Sequence, residues 1–177
     1  MRWLVPLAVF LSAFAASSWV TLTAIPGVIM DKAMTRIAGA GGAQGEARHA
    51  PRLTEDNQTI VRASPDILYS VCIYDLSQGD RQITAHWPAD SNYASVSLYD
   101  ANTNNFAVIS DRDSDAVDLR LTDETGRADD RATGNDVIAS PTGRGLILYR
   151  RVIDAETDLA AADAERRRFT CTRVTER

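Results

Sequence analysis

The chain has 177 residues, 24 acidic and 19 basic side chains, two histidines and a net charge of −5. That balance argues against a binder of nucleic-acid backbones, which needs clustered cations. With the first thirty residues set aside, about 145 remain, enough for one domain with a proper core and too few for two.

From Trp3 to Met30 no side chain is charged, and Arg2 stands just ahead of the run. A bilayer core about 30 Å thick needs roughly 20 apolar helical residues, so this segment is long enough to cross it. A removable signal peptide is the competing reading, because Ala13-Phe14-Ala15 offers a small-x-small cleavage pattern. The run passes well beyond a signal peptide's h-region of about 7–15 residues, which favours an uncleaved signal-anchor. Lys32, Arg36 and Arg48 follow the span, and a count of cations alone places the large part inside. Against that count, a short N-terminal tail stays cytoplasmic and long domains translocate regardless of charge, so the expected orientation is extracytoplasmic.

The sequence divides into an anchor over 1–38, a glycine-rich segment over 39–51 that reads as a flexible stalk, and a β-rich domain over 52–177. Leu68 to Asp75 and Gln82 to Trp87, separated by Ser77-Gln78-Gly79-Asp80, predict a hairpin. Between Asn92 and Asp100 the period-two split puts Tyr93, Ser95, Ser97 and Tyr99 on one face and Ala94, Val96 and Leu98 on the other. Asn102 to Asn105 is a turn before Phe106 to Ile109, and Val117 to Leu121 and Val137 to Ala139 are shorter strands. Gly145 to Ile153 is apolar on both faces, as expected of a central strand. One late helix is capped by Thr157, places Leu159, Ala162 and Phe169 roughly on one side, and ends in Arg166 to Arg168 as a solvated terminus. Phe169 to Val174 closes the chain as a strand. The fold class is therefore mainly β, sandwich-like or α+β, with one C-terminal helix after a single N-terminal transmembrane helix.

Cys72 and Cys171 are the only cysteines. Outside the cytoplasm they form a disulfide candidate whose loop of about 100 residues is worth about 4–5 kcal/mol in the chain-entropy model. The alternative is two buried free thiols.

Ser64-Pro65-Asp66-Ile67-Leu68-Tyr69-Ser70, Tyr74-Asp75-Leu76-Ser77, His86-Trp87-Pro88, Tyr93 to Asp100 and Asn102 to Phe106 together resemble the domain of unknown function 1254 family. Pro141 and Arg144 to Arg150 resemble its second block. The resemblance implies a small stand-alone bacterial member, in the inner membrane with its domain in the periplasm. Larger members carry a second β-rich domain, the 1214 family, so the implied partner is another copy or a separately encoded 1214-like protein. The family carries no activity that transfers residue by residue.

Among chemical constellations, Asp111, Asp113 and Asp115 have the spacing that opens a calcium loop, but Ala116 stands where Gly is needed and Thr122 where a bidentate Glu belongs. A solvated acidic loop is the ordinary reading. His49 falls in the stalk, which leaves His86 without the partners that define a catalytic site. Asp66, Asp75 and Asp100, with Tyr93 and Tyr99, are the candidate binding residues. Paired carboxylates beside aromatics suit carbohydrate hydrolysis, which makes a hydrolase the alternative. The leading expectation is a non-enzymatic binding or scaffold module for another envelope component, with no cofactor and no metal.

Overall fold

The computed structural model describes residues 3–39, 45–54, 63–90, 92–123 and 136–174. In chain order these form helix α1 (Leu4–Gly39), strands β1 (Arg48–His49), β2 (Ile67–Asp75), β3 (Arg81–His86), β4 (Ala94–Asp100), β5 (Asn105–Ser110), β6 (Ala116–Thr122), β7 (Asp136–Ala139) and β8 (Arg144–Val152), helix α2 (Leu159–Arg166) and strand β9 (Thr170–Arg173). The strands build two sheets, ordered β1-β2-β8-β4-β5 and β7-β6-β3-β9. α2 is present but short, at eight residues.

Alternation along the strands decides what lies between the sheets. Cys72, Tyr74, Val96, Leu98, Ile147 and Tyr149 from the first sheet meet Ile83, Ala85, Val117, Leu119 and Leu121 from the second in one buried cluster. β8 pairs with both β2 and β4, which makes it the central strand of the five. Cys72 on β2 and Cys171 on β9 are bonded, with Cα atoms 6.4 Å apart, so a covalent link joins one sheet to the other through the core. Phe169 stacks on Tyr149 beside it, ring centroids 5.6 Å apart.

The structure corrects several expectations about the fold. β2 and β3 are not a hairpin: β2 pairs with β1 and β8, while β3 pairs with β6 and β9. Leu76–Gln78 makes a single 3-10 turn and Gly79 follows at φ 105°, carrying the chain across to the other sheet. Both strands have one apolar face, and the crossover lets those faces bury against each other, which pairing side by side would not. The cap of α2 is Asp158, whose Oδ1 accepts from the N–H groups of Ala160 and Ala161. Thr157 instead donates to Asp154 at 2.7 Å, and Phe169 lies beyond the helix end. Finally, part of the segment read as a stalk is built into the sheet. Arg48 and His49 pair with Val71 and Ser70, and the Gly45 N–H donates to the Ile73 carbonyl at 2.9 Å. Residues 40–44 of that segment lie outside the described residues.

Candidate functional site

The sequence makes α1 apolar for most of its length, but the structure divides it in two. Nearly every residue from Trp3 to Ile25 is exposed, whereas from Pro26 onward positions 26, 27, 30, 33, 34, 37 and 38 are covered. That spacing is one stripe of a helix. Met30, Met34, Ile37 and Ala38 on the stripe pack against Ile73, Tyr99 and Leu146. Those three side chains are lateral neighbours on β2, β4 and β8, since Tyr99 stands opposite Leu146 and Leu146 opposite Ile73. The helix therefore docks on the outer face of the five-stranded sheet, the face turned away from the core.

Polar contacts fix the docked segment. Arg48 Nη1 donates to the Ile37 carbonyl at 2.7 Å, satisfying one of the last carbonyls of α1 at its negative end. Arg144 lies 3.4 Å from Asp31, an exposed pair of little energetic weight. A side chain added at Gly27 would stand 3.6 Å from Asn102 Oδ1 and 4.0 Å from the Ala101 carbonyl, so the β4–β5 turn lies close against the helix there. Between helix and sheet a cavity of about 360 Å³ is bordered by Asp31, Met34, Ile73, Asp75 and Arg144.

A second concentration of charge lies near α2. The Arg151 side chain is 3% exposed and pairs with Asp90 at 2.8 Å and Glu165 at 2.7 Å. Arg166, read from sequence as part of a solvated helix end, is buried instead. It pairs with Asp163 and donates to the Tyr69 carbonyl at 2.6 Å. Arg167 and then Arg166 hold the Asp163 carboxyl below the usual carboxylate range. His49, expected in the stalk, stands 2.8 Å from Ser70 Oγ, and Arg166 reaches the same hydroxyl at 3.4 Å. Burial and then the nearby Arg166 and Arg167 push the His49 pKa down. Ser70 is fully buried, so this Ser–His pair offers nothing for a substrate to reach and acts as a structural contact.

The carboxylates expected to line a cleft do not converge. Asp66 precedes β2 and Asp75 ends it, so the length of a nine-residue strand separates them. Asp75 is opposite Arg144 and Asp100 opposite the adjacent Gly145, which sends the two carboxylates to opposite faces of the sheet. Each has a local task. Asp75 accepts from the Ser77 N–H and hydroxyl, and the hydroxyl bond holds its carboxyl below the usual range. Asp100 accepts from the N–H groups of Asn102 and Asn104 and from the Asn104 side chain, closing the β4–β5 turn.

Tyr99 is covered by α1, whereas Tyr93 lies beneath the Arg112 guanidinium, 5.7 Å from the ring centre. His86 is exposed at the end of β3. In the acidic loop, Asp113 Oδ2 accepts from the Ser110 N–H at 3.1 Å and from its hydroxyl at 2.5 Å, and Trp87 donates to the Ser114 carbonyl at 2.6 Å. Among the described residues no three His, Cys, Asp or Glu side chains are grouped to hold a metal ion, and that includes Asp111, Asp113 and Asp115.

The family model described as "Protein of unknown function (DUF1254)" matches residues 45–173. No curated protein matches the chain. Among solved structures, the VPA0106 protein from Vibrio parahaemolyticus is similar over 86% of this chain with a TM-score of 0.63 and 12% identity. This chain spans 37% of that protein's length. A protein from Burkholderia cenocepacia, titled as uncharacterized, is 15% identical and covers 62% of this chain and 32% of its own, with a TM-score of 0.43. The first likeness shows a shared fold.

Proposed function

The chain belongs to the DUF1254 family, and from that premise we propose that it is a single-pass, membrane-anchored module that binds or scaffolds another envelope component. The observation that carries this reading is the division of α1 into an exposed apolar stretch and a docked stretch. Residues 4–25 make about 33 Å of helix at a rise of about 1.5 Å per residue, close to the thickness of a bilayer core. The first charged side chain after that stretch, Asp31, comes after the helix has met the sheet. A domain clamped to the end of a membrane helix is held in place rather than free to range, as a scaffold requires.

The proposed compartment is the periplasm of a bacterium, on the argument that the link between Cys72 and Cys171 persists in an oxidising space. The proposed partner is a second copy of this chain or a separately encoded 1214-like protein. A catalytic reading draws no support from Asp66, Asp75 and Asp100, because Asp66 and Asp75 stand at opposite ends of β2 and the carboxylates of Asp75 and Asp100 are engaged in local turns.

Crosslinking in intact membranes followed by mass spectrometry tests the proposal. The expected result is a recurrent neighbour, either this chain or one other envelope protein, joined to the sandwich domain. A strictly monomeric chain with no recurrent neighbour would overturn it.

A further inference from the structure

The docked helix fixes more than the presence of the domain at a membrane. Tyr99, Leu146 and Ile73, the side chains that receive α1, form a single row across three strands, at right angles to the strand direction. Contacts along the helix follow the same line. Gly27 lies against the β4–β5 turn, and Ile37 accepts from Arg48 on β1, at the opposite edge of the sheet. Ten helical residues rise about 15 Å, and the three strand spacings from β4 to β1 cover about 14 Å. The helix thus crosses the strands nearly perpendicularly.

If α1 stands across a bilayer, the strands of this sheet lie nearly parallel to the membrane plane, stacked away from it in the order β5, β4, β8, β2, β1. β5 then comes nearest the lipid. Its sequence fits that position. From Ala101 to Ser110 there is no charged residue, in a chain where charged residues make up 24%. The stretch exposes Asn102, Thr103 and Asn104 on the turn and Asn105 and Val108, the latter 48% exposed, on the strand. β5 is also a sheet edge among the described residues, with backbone groups that need a polar neighbour. Lipid headgroups and their water supply both donors and acceptors, and an uncharged rim enters that layer without the desolvation cost of an ion.

We propose that the β4–β5 turn and strand β5, residues 101–110, form the membrane-contacting surface of the domain and rest in the headgroup layer of the bilayer that α1 crosses. The proposal rests on the reading of α1 as a membrane span. It commits to lipid as the occupant of this edge; a strand from a second copy is the competing occupant.

The test uses the full-length chain, with its native disulfide intact, in vesicles of phosphatidylcholine and phosphatidylglycerol. Single nitroxide labels are attached through Thr103→Cys, Val108→Cys, Thr172→Cys on the far sheet, and Phe14→Cys in α1. All four positions are exposed, so labelling leaves the core alone. Collision rates with oxygen, which concentrates in lipid, and with a water-soluble nickel chelate report depth. The expected result is nickel access at positions 103 and 108 several-fold below that at 172, with position 14 shielded most.

Equal nickel access at 103, 108 and 172 beside a shielded position 14 would overturn the proposed surface while leaving the span intact. A water-accessible position 14 would overturn both. A spectrum at 108 broadened by spin–spin coupling, and sharpened on dilution with unlabelled chain, would show a second copy on the β5 edge and overturn the lipid assignment.

Discussion

Arg151 and its two carboxylates illustrate how unequal burial makes substitutions unequal. The arginine side chain is 3% exposed, whereas Asp90 and Glu165 each keep 34%. Replacing Arg151 with Met leaves two carboxylates that water can still solvate. Replacing Asp90 with Asn and Glu165 with Gln leaves a buried guanidinium without a counter-charge, the costly case of about 3–5 kcal/mol. Urea unfolding should therefore find the double carboxylate variant less stable than Arg151→Met.

His49 makes the second prediction at this scale. Its pKa is lowered in the folded chain, so as pH falls below 6.5 the unfolded state takes up a proton before the folded state does. Stability should be fully present above pH 6.5 and fall from there down to the lowered folded value. Melting temperatures of His49→Gln should lack that part of the acid slope. From sequence, Arg150 and Arg151 could be read to opposite faces by strand alternation alone. The His49 contact could not, because β1 is two residues long and its partner Ser70 is 21 positions away.

Among the elements, β2 and β9 belong to different sheets, so the link between Cys72 and Cys171 ties the two layers together. The bridge spans 99 positions, and in the chain-entropy model a loop of that size contributes about 4–5 kcal/mol. Reduction, or Cys72→Ala with Cys171→Ala, should lower the melting temperature, and alkylation of native chain from membranes should modify neither sulfur. Two freely alkylated thiols would refute the link.

The strands themselves were legible because alternation marks them, and β4 buries Ala94, Val96 and Leu98 on the face their spacing assigns. Their pairing was not legible: a five-residue connection between two alternating runs fits a hairpin and a crossover between sheets equally well. The docked stripe of α1 was hidden for another reason. The residues before Pro26 are apolar all round, so no periodic contrast marks where packing begins. Of the candidate residues in the family words, Asp75 and Asp100 accept hydrogen bonds in turns and Tyr99 packs beneath α1, contacts that a run of sequence does not display.

For the whole molecule, one continuous helix connects an exposed apolar stretch to a sheet, and the docked half of that helix leaves the domain little freedom to move relative to it. The glycine-rich composition over 39–51 suggested reach, but β1 and Gly45 return that segment to β2. Composition reports what a segment can bury by itself; it does not report a neighbouring strand that supplies hydrogen bonds. The family was legible in scattered words along the chain, while the position of the domain against α1 follows only from contacts.

Extraction of membranes with alkaline carbonate, followed by the intact mass of the chain in each fraction, decides whether α1 stays attached and crosses the bilayer. The full-length chain is expected in the pellet. A soluble species beginning near Ala16 would contradict it, because the stretch that spans the bilayer would then have been removed.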